Sequence, residues 1–418
     1  MTTQASETMY NARVYTSRRV DELQAEMTKI GSEWPGVVRM VPKAMHYVVV
    51  VHNVRTPAVL ILKEEMLSKG GDCAIHRDAI THRVERSSCI LMGTEKSFRK
   101  MLADLRTQPF GLSKLADEIK SAIEGYKRES PATPAEDDLP ERLRLFYAAM
   151  RERTLVMGIL NVTPDSFSDG GLYADMESAV EHGVRMVEDG ADVIDVGGES
   201  TRPGSAAVPV EEEIIRVAPV IRALAERVSV PISIDTSKAD VAHAALDAGA
   251  SIINDITGFS DPEMPGLAAE RKCPSIIMHM KGTPQNMQEH AVYDDVVTEV
   301  MHHLRQRIGE IVEAGLPREY IIIDPGIGFA KTAEHNMEII RKLADFKSIG
   351  LPILIGTSRK AFIGKTLGDL PPTERLEGTA ATVALSINNG ANIIRVHDVK
   401  EMARVARMTD AIVRVGLK

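Results

Sequence analysis

Polar residues follow short apolar runs at intervals along the last two thirds of the chain. Any one of them could be a structural cap or a loop contact. If these runs are parallel strands of one barrel, however, their carboxyl ends meet at one face and the polar residues line a single site. The eight groups are Asn161, residues 197–204, Asp235, Asn254, His279, Asp324, Ser358 with Lys360, and Arg395 with His397.

Three of these residues, Asp235, Asn254 and Asp324, lie in or directly after apolar stretches, so we expect their side chains to lie deep. A buried carboxylate is costly unless hydrogen-bond donors meet it. Deep acceptors around a pit suit a flat, nitrogen-rich heterocycle that presents paired N–H groups. The alternative is that Lys360 or Arg395 neutralises Asp324 inside the barrel.

Positive charge gathers at the same strand ends, although the whole chain has a net charge of −9. Local basicity in an acidic protein indicates a small anion as ligand and makes nucleic acid an unsuitable partner. Gly-rich loops and helix N-termini nearby would add backbone donors for phosphate or carboxylate oxygens. The alternative is a solvated surface stripe. The basic residues are Arg202, Arg359, Lys360, Arg395 and His397.

The apolar runs themselves predict the fold. Continuous Val, Ile and Leu runs are typical of strands that are buried on both faces of a parallel sheet. Eight runs alternate with amphipathic stretches over residues 154–418, which favours an α/β fold of the (β/α)8 TIM-barrel type, typically about 250 residues, over a doubly wound sheet. The runs are 154–160, 192–197, 232–235, 252–256, 275–280, 320–323, 352–355 and 393–396.

Changes in composition predict four segments along the chain. The small domain among them is expected to be regulatory or to serve oligomerisation. The segments are a poorly ordered leader (1–44), a small α/β domain of unknown role (45–128), a Pro- and acid-rich linker (129–140) and the barrel (141–418). Within the small domain we predict strands at 45–54, 73–76 and 88–92, a helix at 56–68, and helices over 95–126.

Bulk composition narrows the class of protein. The chain is 44% hydrophobic and 26% charged, which is ordinary for a globular protein with a full core. It has neither a signal-peptide pattern nor a window of about 18 apolar residues, so a cytoplasmic enzyme is expected. Three cysteines without paired short spacing predict no disulfide framework. Cys73, His76, His82 and Cys89 could form a metal cluster, but their irregular spacing favours buried cysteines and surface histidines.

Eight segments of the predicted barrel resemble those of the dihydropteroate synthases, in the same order. MGILNVTPDSFSDGG (157–171) and DVGGESTRPG (195–204) closely resemble the two signature segments of that family. The match covers the whole predicted barrel, so the resemblance is specific. The other segments are SIDTSK (233–238), IINDITG (252–258), MHMKGTPQNMQ (278–288), DPGIGFAK (324–331), GTSRKAFIG (356–364) and IRVHD (394–398).

The resemblance implies a transferase of folate biosynthesis that joins (7,8-dihydropterin-6-yl)methyl diphosphate to 4-aminobenzoate and releases pyrophosphate in a dissociative, SN1-like step. It also implies Mg²⁺ as cofactor and a homodimer. The implied pterin contacts are Asp235, Asn254, Met278, Asp324 and Lys360. The implied diphosphate contacts are Asn161, Thr201, Arg395 and His397, with Asn161 also contributing to the Mg²⁺ site. The implied 4-aminobenzoate contacts are Arg202, Pro203, Phe329 and Ser358.

The same resemblance implies particular roles within this set. The Ser358 hydroxyl and the N-terminus of the following helix would receive the carboxylate of 4-aminobenzoate. One position departs from the family, which commonly has GFGK where this chain has Ala330 before Lys331. Alanine is expected to avoid a positive φ there, and so to tighten the loop that carries Phe329. The implied catalytic residues are Asn161, Asp235, Lys360, Arg395 and His397.

Three other functions fit the sequence less well than the synthase. A corrinoid-linked methyltetrahydrofolate methyltransferase shares a pterin-binding barrel, but it needs no rim for a diphosphate. A pterin sensor without activity would be expected to lose rim groups, and these are all present. A fused pterin pyrophosphokinase does not fit, because the N-terminal part is too short and lacks a pair of Mg²⁺-binding carboxylates.

Overall fold

The structure is a computed structural model that describes residues 12–15, 19–162, 172–200 and 207–414, without the side chains of residues 138 and 172–175. The chain divides into two compact units, Met1–Ile123 and Glu124–Lys418. Within the described ranges, no helix is long and apolar enough to cross a membrane.

The first unit combines helices with a small antiparallel sheet. Its elements are α1 (Val20–Lys29), α2 (Trp34–Ala44), β1 (His46–Arg55), α3 (Thr56–Ser68), β2 (Asp72–Ile75), β3 (Arg86–Thr94), α4 (Glu95–Leu105) and α5 (Leu112–Lys127), which continues into the second unit. The strands pair in the order β1-β3-β2. The strands and helices predicted between residues 45 and 126 are therefore confirmed.

The prediction of a poorly ordered leader over residues 1–44 is wrong for its second half. Helices α1 and α2 lie within residues 20–44. Val37 and Val41, one helical turn apart on α2, are both buried. This i, i+4 spacing gives the helix an apolar face that can pack, which explains why the segment folds.

Alternating burial shows that one face of the sheet is covered. Tyr47 of β1 is buried while its two neighbours in sequence are exposed, as the two-residue period of a strand requires. Cys73 and Cys89 are buried, whereas His76 and His82 are exposed. This is the arrangement that the irregular spacing of these four residues favours.

The second unit contains an eight-stranded parallel sheet in the order β10-β11-β4-β5-β6-β7-β8-β9. A parallel bridge between Ile323 and Ile353 joins the two ends of that order, so the sheet closes into a barrel. The predicted (β/α)8 TIM barrel is confirmed. The strands are β4 (Leu155–Asn161), β5 (Val193–Gly197), β6 (Ile232–Asp235), β7 (Ile252–Asp255), β8 (Ser275–Met278), β9 (Ile321–Asp324), β10 (Leu354–Ile355) and β11 (Ile393–Val396).

Amphipathic helices alternate with these strands. On α11, Val300, Leu304 and Ile308 are buried at i, i+4 spacing, the apolar stripe of a helix that packs on a core. The helices are α6 (Glu141–Glu152), α7 (Leu172–Glu188), α8 (Val210–Arg227), α9 (Ala239–Ala248), α10 (Met264–Arg271), α11 (Val296–Glu313), α12 (Ala333–Arg341), α13 (Leu343–Phe346), α14 (Ala361–Thr366), α15 (Leu376–Asn388) and α16 (Val399–Val413).

The boundary between the units falls inside α5, so residues 129–140, predicted as a linker, belong to the second unit. The backbone N–H of Ala132 donates to the carbonyl of Gly350 at 3.4 Å. Ser130 Oγ donates to the carbonyl of Arg151, also at 3.4 Å. These two hydrogen bonds attach the segment to the body of the second unit.

Strand register decides which side chains share the barrel interior. Asp195 of β5 is paired with Ser233 of β6, and two residues further on Gly197 is paired with Asp235. Asp235 is in turn the register partner of Asn254 on β7. Because side chains at paired positions of neighbouring parallel strands point to the same side of a sheet, these polar residues form a continuous patch.

Candidate active site

The polar ends of β4, β5 and β6 converge around Gly197. This glycine is the register partner of both Asn161 and Asp235. A Cβ atom at this position would lie 3.5 Å from Cβ of Asp235 and 3.9 Å from Oδ1 of Asn161. Glycine thus leaves free the space between the two polar side chains.

Arg395 joins two carboxylates on one side of the barrel mouth. Its Nε donates to Oδ2 of Asp195 at 2.6 Å, and its Nη2 donates to Oδ2 of Asp235 at 2.5 Å. Asn254 Nδ2 donates to the same oxygen of Asp195 at 3.0 Å. We call these four residues, from β5, β6, β7 and β11, the arginine side. The structure thus brings together three predicted residues and Asp195, which the sequence analysis did not select.

Burial sets the electrostatics of the arginine side. It outweighs the nearby Arg395 and raises the pKa of Asp235 to about 7, with the charge of Asp195 acting in the same direction. Burial alone would lower the pKa of Arg395, but the carboxylates of Asp195 and Asp235 outweigh this effect and raise its pKa above the ordinary value. The guanidinium therefore stays protonated, while Asp235 exchanges a proton near neutral pH.

The opposite side of the mouth, from β9 and the segments after β9 and β10, holds its carboxylate differently. Asp324 Oδ1 accepts the backbone N–H of Gly326 at 2.7 Å, and no ion pair within the described ranges reaches Asp324. Lys360 Nζ lies 4.2 Å from the centre of the Phe329 ring. Neither Lys360 nor Arg395 forms an ion pair with Asp324 in the described part of the chain, although the positive charges of both act on this carboxylate at longer range. We call Asp324, Phe329, Lys331 and Lys360 the lysine side.

Lys331 is a buried cation that the sequence analysis did not select. Its Nζ lies 3.0 Å from Nδ1 of His279 and donates to the carbonyls of His279 at 3.3 Å and of Phe329 at 2.9 Å. Burial lowers the pKa of Lys331 to about 7, and it lowers the pKa of Lys360 to about 8. Lys331 thus fixes the loop that carries Phe329 to the end of β8.

Apolar side chains complete the wall beside Asp324. Met278, its register partner on β8, is 3% exposed and packs in a cluster with Phe329. Flat aromatic ligands are commonly enclosed by such surfaces, with a few polar groups to orient them. The other members of the cluster are Ile256, Met280, Met287 and Ala330.

At the rim, Ser358 and His397 are hydrogen-bonded to each other. Ser358 Oγ lies 3.0 Å from Nδ1 of His397 and accepts the backbone N–H of the same residue at 3.1 Å. Burial and the neighbouring Arg395 lower the pKa of His397 to about 4, so the imidazole is neutral at neutral pH. The expectation of positive charge from this histidine is therefore wrong for the ligand-free protein.

The structure also bears on other residues that were predicted at the rim. Arg359 pairs with Asp398, its Nε 3.0 Å from Oδ2, so its charge is largely neutralised. The helix after Ser358 begins at Ala361 and has six residues, and its contact with the carboxylate of 4-aminobenzoate stays a prediction. Three further predicted residues, Thr201, Arg202 and Pro203, lie outside the described residues.

Ala330 overturns the expectation about its backbone. It adopts φ +49°, the left-handed region that alanine was expected to avoid. Its carbonyl accepts the hydroxyl of Tyr293 at 3.0 Å, and its own side chain is fully buried. Neighbouring contacts, including those of Lys331, therefore impose the conformation against a local steric cost.

Asn161 is the candidate ligand of Mg²⁺. It stands at the exposed end of β4, with its amide oxygen turned towards Gly197. In the described part of the chain, no group of three or more His, Cys, Asp or Glu could hold a metal ion. Mg²⁺ is commonly bound by one or two protein oxygens together with waters and phosphate oxygens, so a lone amide oxygen fits an ion held mainly by a phosphorylated ligand.

Comparisons with known proteins show the family of the chain. Residues 157–397 match the family described as pterin binding enzyme. The dihydropteroate synthase of Bacillus subtilis is 52% identical over 267 residues, which are 64% of this chain and 91% of that protein. The solved structure of Xanthomonas albilineans dihydropteroate synthase with 7,8-dihydropteroate is 40% identical, covers 63% of this chain and 95% of that chain, and has a TM-score of 0.58. The structure with 4-aminobenzoic acid is 43% identical, covers 63% and 94%, and has a TM-score of 0.60.

A longer relative extends the match beyond the barrel. The probable bifunctional folylpolyglutamate synthase/dihydropteroate synthase of Haloferax volcanii is 44% identical over 351 residues, 82% of this chain and 40% of that protein. The match is longer than the second unit of this chain, so it reaches into the first. At least part of the first unit is therefore similar to part of a larger protein, of which this chain spans less than half.

A closed barrel with polar residues at the carboxyl ends of its strands is the arrangement of a (β/α)8-barrel enzyme. The chain belongs to the pterin binding enzyme family. Within that family its sequence and its structure are similar to those of dihydropteroate synthases, so the resemblance seen in the eight segments is confirmed.

Proposed function

We propose that the chain is a transferase that condenses (7,8-dihydropterin-6-yl)methyl diphosphate with 4-aminobenzoate to give 7,8-dihydropteroate and pyrophosphate. The dihydropteroate synthases among its relatives support this reaction of folate biosynthesis. The observation that carries it is Asp324, a buried carboxylate without an ion pair among the described residues. A pterin presents an amino group beside a ring N–H, and this pair of donors matches a carboxylate in a bidentate contact.

The remaining ring contacts follow from the two sides of the mouth. Asp235 and Asn254 offer further acceptors on the arginine side. Met278 supplies apolar surface beside Asp324, and Lys360 stands over the Phe329 ring near the same carboxylate. A flat ring with N–H groups at its edges would therefore meet acceptors at the edges and apolar side chains on its faces.

The diphosphate is assigned to the rim. Arg395, which stays protonated, and His397 would donate to its oxygens, near Thr201. Asn161 would hold Mg²⁺, and the ion when bound would neutralise charge on the leaving pyrophosphate. Phosphate oxygens close to His397 would also raise its low pKa, because a nearby negative charge favours the protonated imidazole.

The 4-aminobenzoate pocket is assigned to Phe329 and Ser358 together with Arg202 and Pro203. Ser358 would meet the carboxylate through its hydroxyl, which in the ligand-free protein contacts His397 instead. Where the hydroxyl donates to Nδ1 of His397, binding of the carboxylate requires it to turn away; in the other tautomer of His397 the hydroxyl hydrogen is free for the carboxylate.

The proposed reaction needs no strong general base. The arylamine nucleophile is neutral near pH 7, so the difficult step is the departure of pyrophosphate. Positive charge that develops on the pterin methylene would be stabilised by the carboxylates of Asp235 and Asp324 in their ionised form, and negative charge on the leaving group by Arg395. These preorganised charges favour the dissociative step.

Pyrophosphate release in the presence of both substrates tests this function. Asp324→Ala, Arg395→Ala and His397→Ala should each lose about 2–4 kcal/mol of transition-state stabilisation in kcat/KM. Near-normal kcat/KM in all three variants would refute the assignment. No turnover by the wild-type protein with these two substrates would refute the function itself.

A homodimer and a cytoplasmic location stay predictions. The mass of the chain in solution tests the first, and removal of residues 1–138 followed by the same measurement tests whether the first unit contributes to assembly.

A further inference from the structure

Asp195 is the most deeply buried member of the arginine side. It lies in the middle of β5 with 0% exposure, and one of its oxygens, Oδ2, accepts from both Asn254 and Arg395. Its other oxygen, Oδ1, has no hydrogen-bond partner among the described residues. The interactions of this carboxylate are therefore directed at two residues that the proposed function places against the substrate.

The first consequence concerns the amide of Asn254. An ionised carboxylate only accepts hydrogen bonds, so the amide nitrogen of Asn254 must face Asp195. A rotated amide would set two oxygens against each other in a buried space, which is unfavourable. Asp195 thereby fixes the amide oxygen of Asn254 as the group available to a ligand, and this oxygen accepts no hydrogen bond from the described residues.

The second consequence concerns the guanidinium of Arg395. Its Nε donates a hydrogen bond to Asp195 and its Nη2 donates one to Asp235. These two hydrogen bonds fix the plane of the guanidinium in the barrel mouth. Within the described part of the chain, Nη1 has no acceptor and stays free for a ligand. With Asp235 as its single anchor, the guanidinium could rotate about the remaining contact.

We propose that Asp195 is a positioning residue that gives the pocket its hydrogen-bond polarity. It selects a ring that presents an N–H to Asn254, and it aims Arg395 at the anionic part of the same substrate. The inference rests on the proposed function, because it assigns these roles for a pterin diphosphate. It adds a residue that touches no substrate atom and acts through two that do.

Calorimetric binding of 6-hydroxymethylpterin, together with KM for each substrate, tests the proposal. Asp195→Asn removes the charge that orders both partners at nearly unchanged volume. It should raise the Kd of the pterin about ten- to hundredfold, the equivalent of one charge-assisted hydrogen bond, with KM for 4-aminobenzoate changed by less than about threefold. The matched control is Asp192→Asn, just before the same strand, where the carboxylate pairs with Arg153 at 2.6 Å and accepts the backbone N–H of Val156.

An exchange variant separates positioning from simple destabilisation. Asp195→Asn combined with Asn254→Asp restores one carboxylate–amide pair and again leaves an acceptor oxygen for the ring. It should bind the pterin at least about fivefold more tightly than Asp195→Asn alone, or than Asn254→Asp alone if Asp195→Asn does not fold.

Unchanged pterin affinity in Asp195→Asn, equal losses for both substrates, or no recovery in the exchange variant would each overturn the proposal. A wild-type protein that neither binds the pterin nor releases pyrophosphate would instead refute the proposed function, so the two failures are distinguishable.

Discussion

The two sides of the barrel mouth hold buried carboxylates by opposite means. On the arginine side, Asp195 and Asp235 share one guanidinium and form a closed network. On the lysine side, Asp324 receives a backbone N–H, while Lys331 is tied to backbone carbonyls and His279. The buried carboxylates of the arginine side therefore form an ion-pair cluster before any ligand binds. The carboxylate of Asp324, on the lysine side, remains available as an acceptor for a ligand. The position of Arg395 decides which carboxylates are paired.

The largest effect is expected from removal of that arginine. Arg395→Met should lower the free energy of unfolding by about 3–5 kcal/mol, because two buried carboxylates lose their cation. Urea denaturation of both proteins measures the difference. Arg153→Met, which breaks a half-exposed pair with Asp192, is the control and should cost about 1 kcal/mol or less. Equal losses in the two variants would mean that the arginine side is not a special network.

The lysine side should show the reverse pattern of activity and stability. Asp324→Asn keeps an oxygen for the N–H of Gly326 and breaks no ion pair. We expect kcat/KM to fall about 30- to 1000-fold, the equivalent of about 2–4 kcal/mol, with the free energy of unfolding changed by less than about 1 kcal/mol. Steady-state pyrophosphate release and urea denaturation give the two numbers. A stability loss as large as that of Arg395→Met would contradict the comparison.

The two sides should also respond to pH with opposite signs. Burial lowers the pKa of Lys331 from 10.5 to about 7, so between these values the unfolded chain binds more protons and this residue makes stability rise with pH. Burial raises the pKa of Asp235 from 3.8 to about 7. Between these two values the folded protein binds more protons than the unfolded chain, so the contribution of Asp235 to stability falls as the pH rises.

Unfolding free energies measured from pH 4 to 10 test these signs. Lys331→Met should flatten the slope above pH 7, and Asp235→Asn should raise the slope below pH 7. Each change is limited to about 1.4 kcal/mol per pH unit, the value for one proton. Slopes that are unchanged in both variants would show that neither group is perturbed by burial.

The smallest expected effect lies in the loop of the lysine side that carries Phe329. Ala330→Gly relieves the steric cost of φ +49° and should raise the free energy of unfolding by up to about 1 kcal/mol. Gly328→Ala is the opposite control, because its φ is +84° and a Cβ atom would lie 2.9 Å from Cδ of Lys360. A less stable Ala330→Gly variant would show that the loop is not strained.

Much of this arrangement could be predicted from the sequence. The apolar runs gave the eight strands, and the polar residue after each run, such as Asn161 or Asp324, marked the mouth. Asp195 was missed because it lies in the middle of β5, where an isolated polar residue is not distinguished from a satisfied core group. Arg395 pairs with Asp195 and Asp235 and not with Asp324. This pairing depends on the register between strands that are far apart in sequence, and composition and spacing carry no information about that register.

Local signals were also passed over in two places. Val37 and Val41 repeat at helical spacing in the segment predicted as a disordered leader, and α2 forms there. Lys331 follows Phe329 in a segment that was identified, yet its burial depends on His279 from another strand. Conversely, Ala330 shows that a sequence rule about φ can be overridden by tertiary contacts.

Direct binding of the pterin ring tests the central claim, that the buried acceptors of the mouth receive its N–H groups. We propose calorimetric titration of 6-hydroxymethylpterin into the wild-type protein, Asp324→Asn and Asp345→Asn. Asp345 lies exposed on α13, away from the strand ends that form the mouth, so its variant controls for the loss of a carboxylate elsewhere in the same unit. The expected result is at least about tenfold weaker binding in Asp324→Asn alone. Equal affinity in all three proteins would contradict the account.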